Sequence, residues 1–198
     1  MNIETERKFL VKDSSYKQLA VKAYRIKQGY IAHDGGNTVR VRIRDAQGFL
    51  TIKGPSKDGI SRAEWEREIP LADAEELLRL CRGGYIDKTR SLVPAGHVPS
   101  ETCGRPCPHE WEGPAAEGCG RDEAKRRVSE GICPAGRYFE VDEFYGDNEG
   151  LVMAELELDS PEEPFERPVW LGKEVTGDPR YYNSHLLRNP YQLWCGDK

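Results

Sequence analysis

Charged residues occupy every second position in six short stretches of this chain, with mostly apolar residues between them. Residues two positions apart in an extended strand project from the same face of a sheet. In the first stretch, Glu4, Glu6 and Lys8 therefore share one face. Later stretches with this spacing are Arg40-x-Arg42-x-Arg44, Glu64-x-Glu66-x-Glu68, Lys88-x-Arg90, Glu140-x-Asp142 and Glu155-x-Glu157. The alternation predicts a mostly β fold whose sheet has one charged face and one apolar face.

The charged face has two interpretations. On the outside of an antiparallel sheet, opposite charges pair across strands in water and contribute roughly 0.2–1 kcal/mol per pair. In a closed barrel, the same face would line a hydrated lumen. Two features favour the barrel. The residues that alternate with the charges, such as Val39, Val41 and Trp65, are largely apolar. The chain offers few helices to cover the face that they form. The signs also segregate by strand, since 40–44 is basic and 155–157 is acidic.

Composition argues against several classes of protein. The chain has 198 residues, enough for one domain with a sizeable core, and a formal net charge of −5. This balance shows no bias toward nucleic acid or an anionic membrane surface. Charges from Glu4 onward argue against a secretory signal, and no stretch approaches the roughly 20 apolar residues of a membrane span. We therefore predict a cytoplasmic protein with no nucleic-acid or membrane partner.

The patterning predicts antiparallel strands joined by short turns, with few helices. Strand candidates are 2–11, 24–33, 37–45, 48–54, 62–69, 85–93, 137–145 and 150–158. The segments 33–37, 45–48 and 146–150 have the composition of hairpin turns. Helix candidates are 13–21, 72–81 and 179–187. In the last of these, Asp178 fits an N-cap and Pro179 fits the first helical position.

The segment 95–137 breaks this order. Its periodicity is lost, glycine and proline become frequent, and it holds four of the six cysteines, at positions 103, 107, 119 and 133. Because it is far longer than an ordinary hairpin loop, we interpret it as an insertion in a single domain spanning 1–198. Metal binding, a disulfide and a flexible insertion with incidental cysteines all stay open. Cys81 and Cys195 are expected to be unpaired thiols.

The charges on the predicted inner face match a phosphate chain and its metal. Clustered arginines and lysines bind phosphate oxygens, while clustered carboxylates bind a hard divalent cation that bridges to phosphate. The cations of this face are Lys8, Arg40, Arg42, Lys53, Lys88 and Arg90, and the anions are Glu4, Glu6, Glu64, Glu66, Glu140, Asp142, Glu155 and Glu157. Burying these charges without ligands would be costly, so a hydrated site for a metal-bound phosphate chain is the interpretation we favour.

The motifs also carry a family resemblance. Glu4-Thr-Glu6-Arg-Lys8 resembles the ExExK signature of the CYTH superfamily, the triphosphate tunnel metalloenzymes. The similarity continues in order through 25–30, 39–44, 51–53, 64–66, 87–90, 139–144, 154–157 and 175–183. A lone ExExK would be weak evidence, but ordered motifs covering nearly all of the chain except 95–137 are specific.

The resemblance implies a closed tunnel of eight antiparallel strands with a few flanking helices, acting on triphosphates with Mg²⁺ or Mn²⁺. It implies metal ligands at Glu4, Glu6, Asp142, Glu155 and Glu157. Substrate contacts would come from Lys8, Arg25, Arg40, Arg42, Lys53, Lys88 and Arg90, with Arg44 as a further candidate. Catalytic roles would fall to Glu4, Glu6, Lys8 and Lys88, and further tunnel acids would be Glu64, Glu66 and Glu140.

Several substrates and partners stay open at this point. A short bacterial-type member of this family most often resembles an inorganic triphosphatase, which makes hydrolysis of inorganic triphosphate the expected activity. The alternatives are thiamine triphosphate hydrolysis, adenylate cyclisation of the class IV type and a non-catalytic polyphosphate-binding module. A homodimer is left open as well.

Overall fold

The computed structural model describes residues 5–34, 37–54, 64–81, 83–95, 137–160 and 163–196. The strands are β1 (Thr5–Val11), β2 (Lys22–Asp34), β3 (Asn37–Arg44), β4 (Gln47–Lys53), β5 (Glu64–Ile69), β6 (Ile86–Pro94), β7 (Tyr138–Phe144), β8 (Val152–Leu158) and β9 (Leu171–Glu174). The α-helices are α1 (Leu71–Arg79) and α2 (Asn183–Leu186). Short 3-10 helices lie at Ser14–Gln18, Gly146–Asn148, Pro179–Tyr181 and Tyr191–Leu193.

The predicted α+β, mostly β architecture is confirmed, and each predicted strand has a counterpart within a few residues. Strand β9 was not predicted, because its four residues are too few to show an alternation. The helix predicted at 13–21 is a short 3-10 helix, and the one predicted at 179–187 is divided between a 3-10 turn and α2. Asp178 does cap this segment, since its side chain accepts a hydrogen bond from the backbone N–H of Arg180.

The sheet differs from the predicted closed barrel of eight strands. Among the described residues it has nine strands in the order β5-β4-β3-β2-β6-β7-β8-β1-β9, and all pairings are antiparallel. Closing eight strands would require β1 to pair with β5. Strand β9 takes that edge of β1 instead, through pairs such as Phe9 opposite Glu174. The sheet of the described residues is therefore not closed, and β5 and β9 are its two ends.

Three apolar clusters fix the sheet and its helices. On the face opposite the charges, Phe139 and Val141 pack with Tyr16 and Trp170. Helix α1 covers another part of that face through Ala74, which packs with Val41 and Cys81. At one end of the charged face, Phe144 and Met153 pack against Tyr181 and Leu186. Because these last two residues belong to the C-terminal segment, that segment covers one end of the charged face.

Close packing between β2 and the end of α1 predicts a destabilising substitution. A Cβ on Gly29 would lie 2.6 Å from Cys81 Sγ and 2.9 Å from Cys81 Cβ. We expect Gly29→Ala to lower the free energy of unfolding by about 1–3 kcal/mol, because overpacking forces the strand and helix apart. Urea denaturation measures this change.

The control is Gly83→Ala, where a Cβ would meet no described atom within 4 Å. We expect the double variant Gly29→Ala/Cys81→Ala to recover part of the lost stability. If Gly29→Ala and Gly83→Ala have equal midpoints, the close approach is not a determinant of stability.

The segment predicted as an insertion leaves and re-enters the sheet at one hairpin end. The backbone N–H of Ala95 donates to the carbonyl of Arg137 at 3.1 Å, directly after the last β6–β7 pair. Residues 96–136, with the four predicted loop cysteines, lie outside the described residues. Cys81 and Cys195 are free thiols, as predicted. In the part of the chain that is described, no helix is long and apolar enough to cross a membrane.

Candidate functional site

The strand register places the described residues of the predicted charged face, Arg25 not among them, on one face of the sheet. Directly opposed residues of an antiparallel pair project to the same side. The opposed pairs that define this face are Thr51 and Glu66, Arg42 and Phe49, Gln28 and Arg42, Arg90 and Asp142, Glu140 and Glu155, Lys8 and Glu155, and Glu6 and Glu157. We call this surface the charged face. Its cations concentrate on β3 and β6, and its carboxylates lie on β7, β8 and β1 and, at the other end of the sheet, on β5.

Lys8, Glu155 and Arg90 connect the acidic strands. Lys8 Nζ donates to Glu155 Oε1 at 2.5 Å and to Glu6 Oε1 at 2.7 Å. The guanidinium of Arg90 donates to Glu155 Oε2 at 2.8 Å, and it also binds both oxygens of Asp142. A further ion pair joins Arg90 to Glu140. These contacts bring together residues from β1, β6, β7 and β8 that are distant in the sequence.

The pKa values of Lys8, Glu155 and Glu6 are set by two effects: burial, which disfavours the charged form, and the charges of neighbouring side chains. Burial disfavours the charged form of Lys8, but the carboxylates of Glu155 and Glu6 outweigh it and raise the pKa of Lys8. Burial would likewise raise the pKa of Glu155, but Lys8 and Arg90 hold it well below its usual range. For Glu6, burial together with the negative charge of Glu155 raises the pKa to about 7, although 42% of the side chain stays exposed. The raised pKa of Glu6 therefore reflects its burial first and the charge of Glu155 second, and Lys8 opposes both.

Lys88 and Asp142 form a buried ion pair beneath this group. Lys88 Nζ donates to Asp142 Oδ2 at 2.6 Å, and the two side chains are 1% and 0% exposed. Burial is the largest cause that lowers the pKa of Lys88, and Asp142 opposes it. Because Arg90 binds the same carboxylate, both oxygens of Asp142 already accept hydrogen bonds. The roles predicted for Lys88 in substrate binding and catalysis and for Asp142 in metal binding stay predictions, and in this structure both side chains are almost completely buried.

Arginines dominate the other half of the charged face. Arg42 donates to both oxygens of Glu66 at 3.1 Å, and Arg40 donates to Glu66 Oε2 at 3.3 Å and to Thr51 Oγ1 at 3.1 Å. The Thr51 hydroxyl in turn donates to Glu66 at 2.5 Å. Burial, followed by the positive charge of Arg40, lowers the pKa of Arg42. Arg40 and Arg42 therefore lie close enough for their positive charges to repel, and Glu66 offsets part of this repulsion.

Some polar residues of this face were missed by the sequence prediction. Thr51 is fully buried between Arg40 and Glu66. Gln28 is 2% exposed, and its Nε2 has no hydrogen-bond partner in the described ranges. Strand phase could have found Thr51, because it lies two residues before the predicted site residue Lys53. For Gln28, the phase became evident only from its pairing with Arg42. We expect both to contact a ligand of the arginine half.

Arg25 was predicted to bind substrate, but the structure places it away from the charged face. It lies opposite Thr89, one position out of phase with Arg90, so it projects from the other face. There its guanidinium donates to Asp87 Oδ2 at 2.8 Å and lies 4.0 Å from the ring centre of Tyr145. Lys53 does share the face of Arg40, as predicted, because it follows Thr51 by two residues on β4. Glu4 and the side chain of Glu64 lie outside the described structure.

The acidic half has the donors that a hard divalent cation prefers. Glu6 lies directly opposite Glu157, and Glu140 lies directly opposite Glu155. Like charges in this register repel one another, and carboxylate oxygens are the ligands that Mg²⁺ and Mn²⁺ favour. Within the described ranges, no three acidic, His or Cys side chains are already gathered around a common point. The donor chemistry fits a cation that takes part of its coordination from substrate phosphate and water, as Mg²⁺ commonly does.

Comparison with known proteins was made for the family and for individual relatives. A family model described as CYTH domain matches residues 2–101. An inorganic triphosphatase of Acetivibrio thermocellus is 40% identical over 193 residues, which cover 97% of each chain. That alignment therefore runs through the segment 95–137. An inorganic triphosphatase of Nitrosomonas europaea is 28% identical over 186 residues, which cover 92% of this chain and 95% of that protein.

The fold is also similar to that of a solved structure. The crystal structure of an inorganic triphosphatase matches with a TM-score of 0.56 at 27% sequence identity. The match covers 94% of this chain and 95% of the other. Both chains therefore share the mostly β architecture along nearly their whole length.

Proposed function

Because this chain belongs to the CYTH domain family, we propose that it is an inorganic triphosphatase. It hydrolyses a phosphoanhydride bond of inorganic triphosphate on the charged face, with a divalent metal ion. Two relatives that carry the name inorganic triphosphatase align over more than nine tenths of this chain, and they support this activity.

One observation from the structure carries the proposal: arginines and metal-type carboxylates concentrate in different parts of the charged face. Arg40 and Arg42 lie side by side in phase on β3 and both donate to Glu66, while Glu6 and Glu157 lie directly opposite each other on the acidic side. An excess of arginine fits the oxygens of a phosphate chain, and an excess of carboxylate fits a metal ion. A substrate that is a polyanion bound to a divalent cation satisfies both halves at once.

The residues of the arginine half would hold and orient the phosphates. Guanidinium groups present several N–H donors in a fixed plane, so Arg40 and Arg42 can bind the phosphate oxygens in both the ground state and the transition state. Lys8 would contribute a cation on the acidic side, since it is already held at 2.5 Å by Glu155. Phosphoryl transfer depends mainly on such positioning and charge stabilisation, so a side-chain nucleophile is not required.

The carboxylates Glu6, Glu155 and Glu157 would hold the metal, with Glu140 and Glu4 as further candidates. A divalent cation bound there supplies a positive charge that neutralises phosphate oxygens. We propose Mg²⁺ as the ion used in the cell and Mn²⁺ as a substitute, because both take carboxylate and phosphate oxygens.

Three finer statements rest on the sequence alone. A cytoplasmic location, the lack of a nucleic-acid or membrane partner, and an open choice between monomer and homodimer stay predictions. The roles of Glu4 and Glu64 are proposals from the sequence motifs, and so is the single domain with an insertion at 95–137.

Phosphate release from a panel of substrates tests the assigned substrate. Inorganic triphosphate, ATP and thiamine triphosphate would be compared at equal concentration with Mg²⁺. We expect the highest kcat/KM for inorganic triphosphate, because the proposed contacts reach only phosphate groups. A higher value for thiamine triphosphate, or release of pyrophosphate from ATP, would replace the substrate. Tight binding of triphosphate without turnover would indicate a polyphosphate-binding module.

A further inference from the structure

Five side chains of the charged face alternate between a cation and an aromatic ring. Lys22 Nζ lies 4.9 Å from the centre of the Tyr24 ring, and the guanidinium carbon of Arg44 lies 5.1 Å from the same centre. That carbon is also 4.8 Å from the centre of the Phe49 ring, whose distance to the Arg42 guanidinium carbon is 5.4 Å. All four distances are within cation-π range. We call Lys22, Tyr24, Arg44, Phe49 and Arg42 the cation-ring row.

The register of three strands builds this row. Arg42 on β3 lies directly opposite Phe49 on β4. Arg44 lies directly opposite Ile26 on β2, so Tyr24, two residues before Ile26, is its diagonal neighbour on the same face. Phe49 is 9% exposed, so packing restrains its ring. The row therefore belongs to the rigid sheet and not to a loop.

A ring holds a guanidinium group in a way that differs from a carboxylate. The ring face attracts the cation but leaves its charge and its in-plane N–H donors in place. In the described part of the chain, Arg44 donates only to the neutral amide oxygen of Gln47, at 3.1 Å, and pairs with no carboxylate. Within the same ranges, the Nε atoms of Arg42 and Arg44 are buried without a hydrogen-bond partner. Both guanidinium groups are thus held against rings, and Arg42 also donates through its Nη2 atom to Glu66.

We infer that Tyr24 and Phe49 are positioning residues for phosphate binding: their rings fix the guanidinium groups of Arg44 and Arg42 and leave those groups ready to bind the substrate. This inference rests on the proposed function, because it takes the phosphates of the substrate to be the anions that bind β3. A carboxylate at either ring position would compete with phosphate for the same donors. A ring does not compete, and it limits the side-chain entropy that binding would otherwise cost.

The test compares variants that remove a ring with variants that keep one. We expect Phe49→Leu to raise KM for inorganic triphosphate about tenfold and Tyr24→Leu to raise it about threefold, since Phe49 contacts two arginines and Tyr24 contacts one. The value of kcat should change less than about twofold, because the arginines bind the phosphates in both the ground state and the transition state. Phe49→Tyr and Tyr24→Phe should recover most of the loss.

A matched control and a double variant separate positioning from simple structural support. Tyr85→Leu removes a ring that lies 5.6 Å from Lys27 Nζ, away from the charged face, and should leave KM unchanged. Tyr24 contacts only one arginine of the row, so Tyr24→Leu should add little in an Arg44→Met background. Equal KM values for wild type and both leucine variants would overturn the inference, and so would equal losses in ring-keeping and ring-removing variants.

The outcome can be distinguished from failure of the proposed function. If the wild type releases no phosphate from inorganic triphosphate, the function is wrong, and calorimetric titration with triphosphate in the presence of a chelator tests the row by itself. The dissociation constants should then increase in the order wild type, Tyr24→Leu, Phe49→Leu. Unchanged constants, or no binding by the wild type, would overturn the inference. If Phe49→Leu does not fold, the Tyr24 variants decide, because this ring is only partly buried.

Discussion

Glu155→Gln is expected to lower kcat for inorganic triphosphate by at least about a hundredfold, while the protein stays folded. Glu155 connects Lys8 and Arg90 and is also a proposed metal ligand. Glutamine has nearly the same shape but lacks the charge that holds the metal. After the substitution, Lys8 keeps Glu6 as a partner and Arg90 keeps Asp142, so neither cation is left unpaired. Initial rates of phosphate release and circular dichroism measure the two effects.

The matched control is Glu143→Gln on β7. Glu143 pairs with Lys17 at 2.7 Å and accepts a hydrogen bond from the Tyr16 hydroxyl, on the face opposite the charges. We expect its kcat to stay within about twofold of wild type, because it contacts none of the proposed site. Equal activity of Glu155→Gln and wild type would remove Glu155 from the site.

Lys88→Met is expected to lower the free energy of unfolding by about 3 kcal/mol. The pair that Lys88 forms with Asp142 is almost completely buried, and removing one partner leaves the other charge with less compensation. Arg90 still donates to Asp142, which keeps the loss at the lower end of the range for such pairs. Urea denaturation at pH 7 measures the change.

Lys17→Met is the same substitution at a surface ion pair. Lys17 is 51% exposed and its partner Glu143 is 32% exposed, so water screens their attraction. We expect a loss of less than about 1 kcal/mol. If both variants lose equal stability, burial does not set the strength of the Lys88–Asp142 pair.

Much of the fold followed from the alternation of charged and apolar residues. In β3, the basic residues 40, 42 and 44 fixed the strand, its phase and the face that it turns to the site. Closure could not be predicted in this way, because it depends on which strand takes the free edge of β1. That strand is β9, which has only four residues and no alternation that distinguishes it from a loop.

Strand phase predicted which charged residues share one face of the sheet. Lys8, Arg90 and Glu155 were predicted to share a face, and they form a connected group of ion pairs. Arg25 was proposed from the family resemblance and not from strand phase, and its register opposite Thr89 turns it to the other face. Tyr24 and Phe49 were missed because a search for charges does not detect the rings that hold them.

The assignment predicts that phosphate release from inorganic triphosphate depends on a divalent metal. The most direct measurement is the initial rate of this release by the wild-type protein with Mg²⁺, with Mn²⁺ and with a chelator. We expect turnover with a divalent ion, loss of turnover in the chelator and recovery when the metal is restored. Turnover that persists in the chelator would contradict the role given to Glu6, Glu155 and Glu157. No turnover under any of these conditions would contradict the assignment as an inorganic triphosphatase.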